Sequence, residues 1–115
     1  MDKFLKQYLI TALWSEIDSL TDEPLDKNFN IDDFSPESLE QAENDCKEFI
    51  KQAGSLLDGL DLSTAGHDFW LTRNRHGAGF WDGDYKKSIG EQLTKLAHSF
   101  GELNLYAGDN GLLYF

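Results

Sequence analysis

The chain has 115 residues, of which 40 % are hydrophobic and 13 % aromatic, and it carries a formal net charge of −11. That length fits one domain and excludes two ordinary ones, and the apolar content excludes a disordered chain despite the charge. Its single cysteine, Cys46, excludes an intrachain disulfide framework and a Cys-rich zinc site.

The first element is an amphipathic helix over residues 2–20, because Leu5, Leu9, Leu13 and Ile17 recur every four residues with Tyr8, Ala12 and Leu20 beside them. Its polar, lysine-containing start is unlike the apolar block of a signal peptide. No apolar run reaches the roughly 20 residues of a membrane helix. A cytoplasmic protein with no membrane association is the expectation. The helix ends before Pro24, which cannot continue it. Residues 21–34 read as an acidic connection pinned to the core by Leu25, Phe29, Ile31 and Phe34.

Ser35-Pro36-Glu37 then offers an N-cap, a proline at the first helical position and an acid near the positive end of the helix dipole. Apolar residues from Leu39 to Leu60 keep helical spacing, with Cys46 on that stripe as a small buried hydrophobe. Charge is uneven along the chain. Residues 1–65 hold 15 acidic and 5 basic side chains, against 6 and 5 in residues 66–115, and in the span 16–48 twelve acids face only Lys27 and Lys47. A field of this sign repels phosphates, so the acidic half does not bind DNA directly, and it attracts basic surfaces. Asp22, Glu23, Asp32, Asp33, Glu37 and Glu40 are the candidates for an acidic, DNA-mimicking face. The plainer role of such charge is solubility.

After Gly59 the pattern changes period. Phe69 and Leu71 alternate with Trp70 and Thr72, Asn74-Arg75-His76-Gly77 resembles a turn, and Ala78 to Asp82 follows as a second strand, so 67–82 is expected as a hairpin. Asp82-Gly83-Asp84 reads as a turn and lacks the remaining ligands of a calcium loop. A helix over 87–100 ends at Gly101. Leu103–Tyr106 and Leu112–Phe115 then flank the turn Gly108-Asp109-Asn110-Gly111 as a last hairpin. The expected class is α+β, in the order ααββαββ. It forms a single domain over 1–115, with an acidic helical half (1–65) and an aromatic hairpin–helix–hairpin half (66–115), its helices packed on a small, mainly antiparallel sheet.

The block from Gly66 to Asp82, reading GHDFWLTRNRHGAGFWD, holds two of the three histidines, two of the three tryptophans and both arginines. It resembles a group of small acidic proteins of bacteriophages and other mobile elements whose signature is close to G-H-D-F-W-L-T-R-N-x-H-G-A-G-F-W-D. Thr11-Ala12-Leu13-Trp14, Pro24-Leu25-Asp26, Leu105-Tyr106 and Gly108-Asp109 also fit that pattern, which thus covers most of the chain. Arg75 stands where the pattern usually has glycine. The resemblance implies a phage or mobile-element origin and no established activity.

On a hairpin, Trp70, Arg73, Arg75, His76 and Trp81 would supply the residue types that dominate binding surfaces; the plainer role of the block is structural, with Trp70 and Trp81 filling the core, Asp68 and Asp82 capping turns and Arg73 closing a salt bridge. With the acidic half, such a surface points to an accessory protein that binds and inhibits a host protein, such as a defence factor or a basic nucleic-acid-processing protein. The alternative is a minimal enzyme or metal-binding protein using His67, Asp68, Arg73, His76 and Asp82. An extended hairpin separates His67 from His76 by roughly 20 Å, which counts against a four-ligand cage, and neighbours on a strand face opposite ways, so His67 and Asp68 form no obvious dyad with each other. No nucleotide-binding, serine-hydrolase or zinc-protease motif is present, and no cofactor is expected. A third possibility is a homo-oligomer paired through Leu112–Phe115 as an edge strand.

Overall fold

The computed structural model describes residues 1–83 and 85–115; Asp84, the last residue of the expected Asp82–Asp84 turn, lies outside the described residues. Its α-helices are α1 (Lys3–Ser15), α2 (Pro36–Ala53), α3 (Leu62–Arg73) and α4 (Lys87–Ser99). Its two short antiparallel hairpins pair β1 (Ile17–Asp18) with β2 (Glu23–Pro24), and β3 (Tyr106–Ala107) with β4 (Leu113–Tyr114). The class is α+β.

Helix α1 starts at Asp2, whose side chain accepts from the Leu5 amide at 2.8 Å. It ends at Ser15, five residues earlier than its periodicity predicts. The cause is local: Asp18 Oδ1 accepts from the Leu20 amide at 3.0 Å, a side-chain turn that competes with helix. Ile17 and Asp18 instead pair with Pro24 and Glu23. The connection is pinned as its composition predicts, with Leu25 and Phe34 buried and Phe29 and Ile31 packed against the core. Helix α2 starts at Ser35, whose hydroxyl accepts from the Ser38 amide, with Pro36 in the first turn.

The largest departure lies in the aromatic block. Residues 62–73 form helix α3, so the expected hairpin over 67–82 is a helix followed by irregular chain. Asp61 caps the helix, accepting from the Ser63 amide. The other end is a Schellman motif: the His76 amide donates to the Leu71 carbonyl at 3.0 Å and the Arg75 amide to the Thr72 carbonyl at 3.1 Å. Arg75 occupies the left-handed position of that motif, at φ 56°. Every residue from Ala65 to Arg73 except His67 is buried. A helix buried on nearly all sides has no polar face to set a 3.6-residue period, and its Phe-Trp-Leu-Thr run has strand-like composition.

Helix α3 lies at the centre. Gly66 meets α1 so closely that a Cβ there would run into the Phe4 carbonyl oxygen. Phe49 of α2 stacks on Phe69 at 4.1 Å and on Phe80 at 5.6 Å, and Phe100 meets Phe69 edge-on at 5.1 Å. One core therefore draws on both the acidic and the aromatic halves of the chain. The hairpin β3–β4 closes it from the far end: Leu113 is fully buried, its carbonyl accepts from the Ser35 amide at 2.9 Å, and it bridges Phe34 in parallel register. The segment expected as an edge for pairing between copies is thus already occupied within the chain. Among the described residues, no helix is long and apolar enough to cross a membrane.

Candidate functional site

Because 67 and 68 lie on a helix, their side chains diverge by about 100° and not by the 180° of a strand. Both reach one cleft of about 400 Å³. Its walls come from three segments: the turn before α3 (Gly59–Asp61), the exposed side of α3 (Thr64, His67, Asp68) and the loop residues Gly79, Asp82, Gly83 and Tyr85. Asp82 holds the loop in shape by accepting from the Gly79 amide at 2.9 Å. Thr72 Oγ1 accepts from the Phe80 amide at 3.1 Å, and Gly79 sits so close to that hydroxyl that a Cβ would collide with it.

Asp68 is the most deeply placed charged group of this cleft, with 8 % of its surface exposed. Its Oδ2 accepts from the Tyr85 hydroxyl at 2.6 Å, the length of a charge-assisted bond. Burial pushes the Asp68 carboxyl above its usual range, with the Tyr85 bond opposing. Burial, then Asp68 itself, raises the Tyr85 phenol far above its ordinary value, so the shared proton stays on the phenol. Asp68 Oδ1 lies 3.9 Å from His67 Nε2, too far for a hydrogen bond. The other ring nitrogen, Nδ1, is 3.0 Å from Thr11 Oγ1, and the ring packs 5.6 Å from Trp14. At the rim, hydrogen bonds from Thr64 and Ser63 hold the Asp61 carboxyl below its usual range.

The remaining residues of the expected five-member cluster lie elsewhere. Arg73 is buried, donating to Asp45 at 2.8 Å, to the Tyr8 hydroxyl at 3.0 Å and to the carbonyls of Gly101 and Phe100 at 3.0 and 3.2 Å. His76 is half-buried beside Glu16, with Nε2 at 4.0 Å from its carboxylate and no hydrogen-bond partner. The cluster therefore divides: His67, Asp68 and Asp82 share the cleft, while Arg73 and His76 do not line it.

The expected aromatic–arginine recognition surface is corrected in the same way. Trp70 is fully buried, stands edge-on to Tyr8 at 5.3 Å and donates its indole N–H to Ser15 Oγ at 2.9 Å. Like Arg73, it serves the interior because α3 is the central helix. Arg75 and Trp81 are exposed. Of the acidic candidates, Asp22, Asp32, Glu37 and Glu40 are exposed. Glu23 pairs with Lys27 at 2.8 Å, and Asp33 accepts from the Asn30 amide to close a capping box.

Sequence reasoning missed Tyr85 and Thr11, which only the folded chain brings to Asp68 and His67. The N-cap pattern Asp61-Leu62-Ser63-Thr64 was the available signal that a helix, and so a shared face for 67 and 68, begins there. Among the described residues, no group of three or more His, Cys, Asp or Glu side chains is placed to hold a metal ion. Comparison of the chain with family models, curated proteins and solved structures gives no match.

Proposed function

We propose that this chain is a small phage or mobile-element accessory protein that binds a basic host protein, a defence or nucleic-acid-processing factor, and inhibits it by covering its phosphate-binding surface. The observation that carries this reading is the charge of residues 16–48. Of the twelve acids there, only Glu16, Glu23 and Asp45 come within ion-pair distance of a basic or histidine side chain among the described residues. Asp22, Asp32, Glu37 and Glu40 present their carboxylates to solvent. Exposed, unpaired charge of one sign steers association with the opposite sign and suppresses wrong partners. Trp70 and Arg73 have no part in this surface.

The test is capture of host proteins on the tagged chain after nuclease treatment, followed by affinity measurement with the captured protein at several salt concentrations. Changing Asp22, Asp32, Glu37 and Glu40 together to their amides is expected to weaken binding and flatten its salt dependence. Unchanged affinity and salt slope, or no stoichiometric partner, would overturn the proposal.

A further inference from the structure

We infer that the β1–β2 hairpin and the last turn of α1 form the apolar anchor of the acidic face, and that the segment docking there is a basic one whose apolar side chains are flanked by lysine or arginine. The inference rests on the reading of the acidic face as a protein-binding surface and names where that surface grips. Three large apolar side chains in the span 14–20 face solvent: Trp14 at 42 % exposure, Ile17 at 53 % and Leu20 at 88 %, the highest of any large hydrophobic among the described residues. Cross-strand partners share one side of a hairpin, so Ile17 lies outward with its partner Pro24, also exposed, while Asp18 turns inward. The turn that carries Leu20 is fixed. The Asp18 carboxylate accepts from the Leu20 amide at 3.0 Å, the Asp18 carbonyl accepts from the Asp22 amide at 2.8 Å, and the Leu25 amide donates to the Glu16 carbonyl at 2.9 Å. Leu20 is thus held in place before any partner arrives, which lowers the ordering cost of binding.

Charge selects the occupant. Residues 7–26 hold five acids and no lysine or arginine. Asp22 and Asp26 are exposed and have no ion-pair partner among the described residues, while Glu23 pairs with Lys27 and Glu16 lies beside His76. A second copy of this chain would set the same acids against themselves, and like charge across an interface suppresses pairing. An anionic lipid surface is repelled for the same reason. A basic segment meets neither obstacle: it covers Ile17 and Leu20 and places its cations against Asp22 and Asp26. The division of labour follows from magnitudes. Exposed ion pairs contribute little affinity each, whereas burying one large aliphatic side chain contributes more than several of them. The apolar anchor therefore supplies the hold, and the acids supply the choice of partner.

The probe is a synthetic peptide of lysines and leucines, its leucines at helical spacing, titrated into the isotope-labelled full chain beside a control of equal charge with serine in place of each leucine. The leucine peptide is expected to bind saturably and roughly tenfold or more tighter than the control, with chemical-shift changes centred on the Trp14 indole and the amides of Ile17 and Leu20. Leu20→Ser, alone and combined with Ile17→Ser, is expected to remove most of that advantage and to leave the control peptide's affinity and salt dependence unchanged. Leu20 is almost wholly exposed, so its single variant keeps the fold and carries the test alone should the double variant unfold. Equal affinity for the two peptides, or an undiminished advantage in Leu20→Ser, would overturn the anchor and leave the acidic face as a purely electrostatic surface. Absence of salt-dependent binding by either peptide would overturn both readings. Concentration-dependent dimerisation in sedimentation, abolished by Leu20→Ser, would assign the anchor to a second copy and overturn the basic partner.

Discussion

Arg73→Ala is expected to destabilise the fold strongly. The guanidinium donates to four groups on three segments: Asp45 of α2, Tyr8 of α1, and the carbonyls of Phe100 and Gly101 just after α4. It also lies 5.6 Å from the Phe69 ring centre and 5.8 Å from that of Phe100. Removing one partner of a buried ion pair costs about 3–5 kcal/mol. The Asp45 side chain keeps 25 % exposure and regains some water, which places the loss near the lower end, about 3–4 kcal/mol. Spread over a domain of this size, that is a fall in Tm of roughly 12 °C or more. Arg73→Lys retains the charge but not the fork and is expected to lose about half as much. Urea unfolding followed by circular dichroism measures both, with an unchanged m-value confirming that the native state is compared with a similar unfolded one. A loss below about 1 kcal/mol for Arg73→Ala, close to what an exposed side chain gives, would refute the assignment of Arg73 to the interior.

Three further outcomes are expected. Arg75→Gly should stabilise the chain by about 1 kcal/mol, because the left-handed φ of 56° strains a side-chain-bearing residue and suits glycine; a destabilised variant in the same urea assay would contradict this. Asp68→Asn should raise the melting temperature at pH 7 and lose that advantage on acidification. The native state holds the Asp68 proton to higher pH than the unfolded chain does, so the unaltered protein has this contribution in full below the ordinary value of 3.8 and loses it as pH rises through the raised one. Melting curves across that range check the sign, and an Asn variant less stable at pH 7 than at pH 4, relative to the unaltered chain, would be the wrong one. Cys46 should resist thiol reagents in the folded protein, since burial pushes its pKa far up and the residue is only 3 % exposed; stoichiometric labelling within minutes without denaturant would count against this.

Local signals determined which parts of this fold could be read in the sequence. Ser35-Pro36-Glu37 predicts the start of α2 because capping is short-range chemistry, and the structure has the Ser35 cap in place. Gly108–Gly111 likewise predicts the β3–β4 turn. Helix α3 was hidden because burial on nearly every side erases the amphipathic period. Without that period the residues leave open whether Trp70 and Arg73 face solvent or the core, and the cleft around Asp68 has no visible basis. Tyr85 is 17 positions from Asp68 and Thr11 is 56 from His67. No local pattern announces such meetings; they exist only once α1, α3 and the loop are packed. The early end of α1 has another origin, since a single Asp18 side chain overrides a continuing apolar period.

The bond from Ser35 to Leu113 spans 78 positions, and the Phe115 amide adds a second tie, donating to Ser38 Oγ at 3.2 Å. Contacts this far apart in sequence must overcome the entropy of closing the intervening loop, so they depend on the rest of the packed core. The acidic connection before α2 therefore borrows its order from the opposite end of the chain. Weakening the distal hairpin, by a change at Leu113 for example, would soften the footing of Asp32, Glu37 and Glu40 without altering any of those charges. Amide exchange would report it as joint loss of protection at Ser35 and in β4. The spacing of the exposed carboxylates is thus a property of the whole fold, and a peptide copied from residues 16–48 would carry the charge without the geometry.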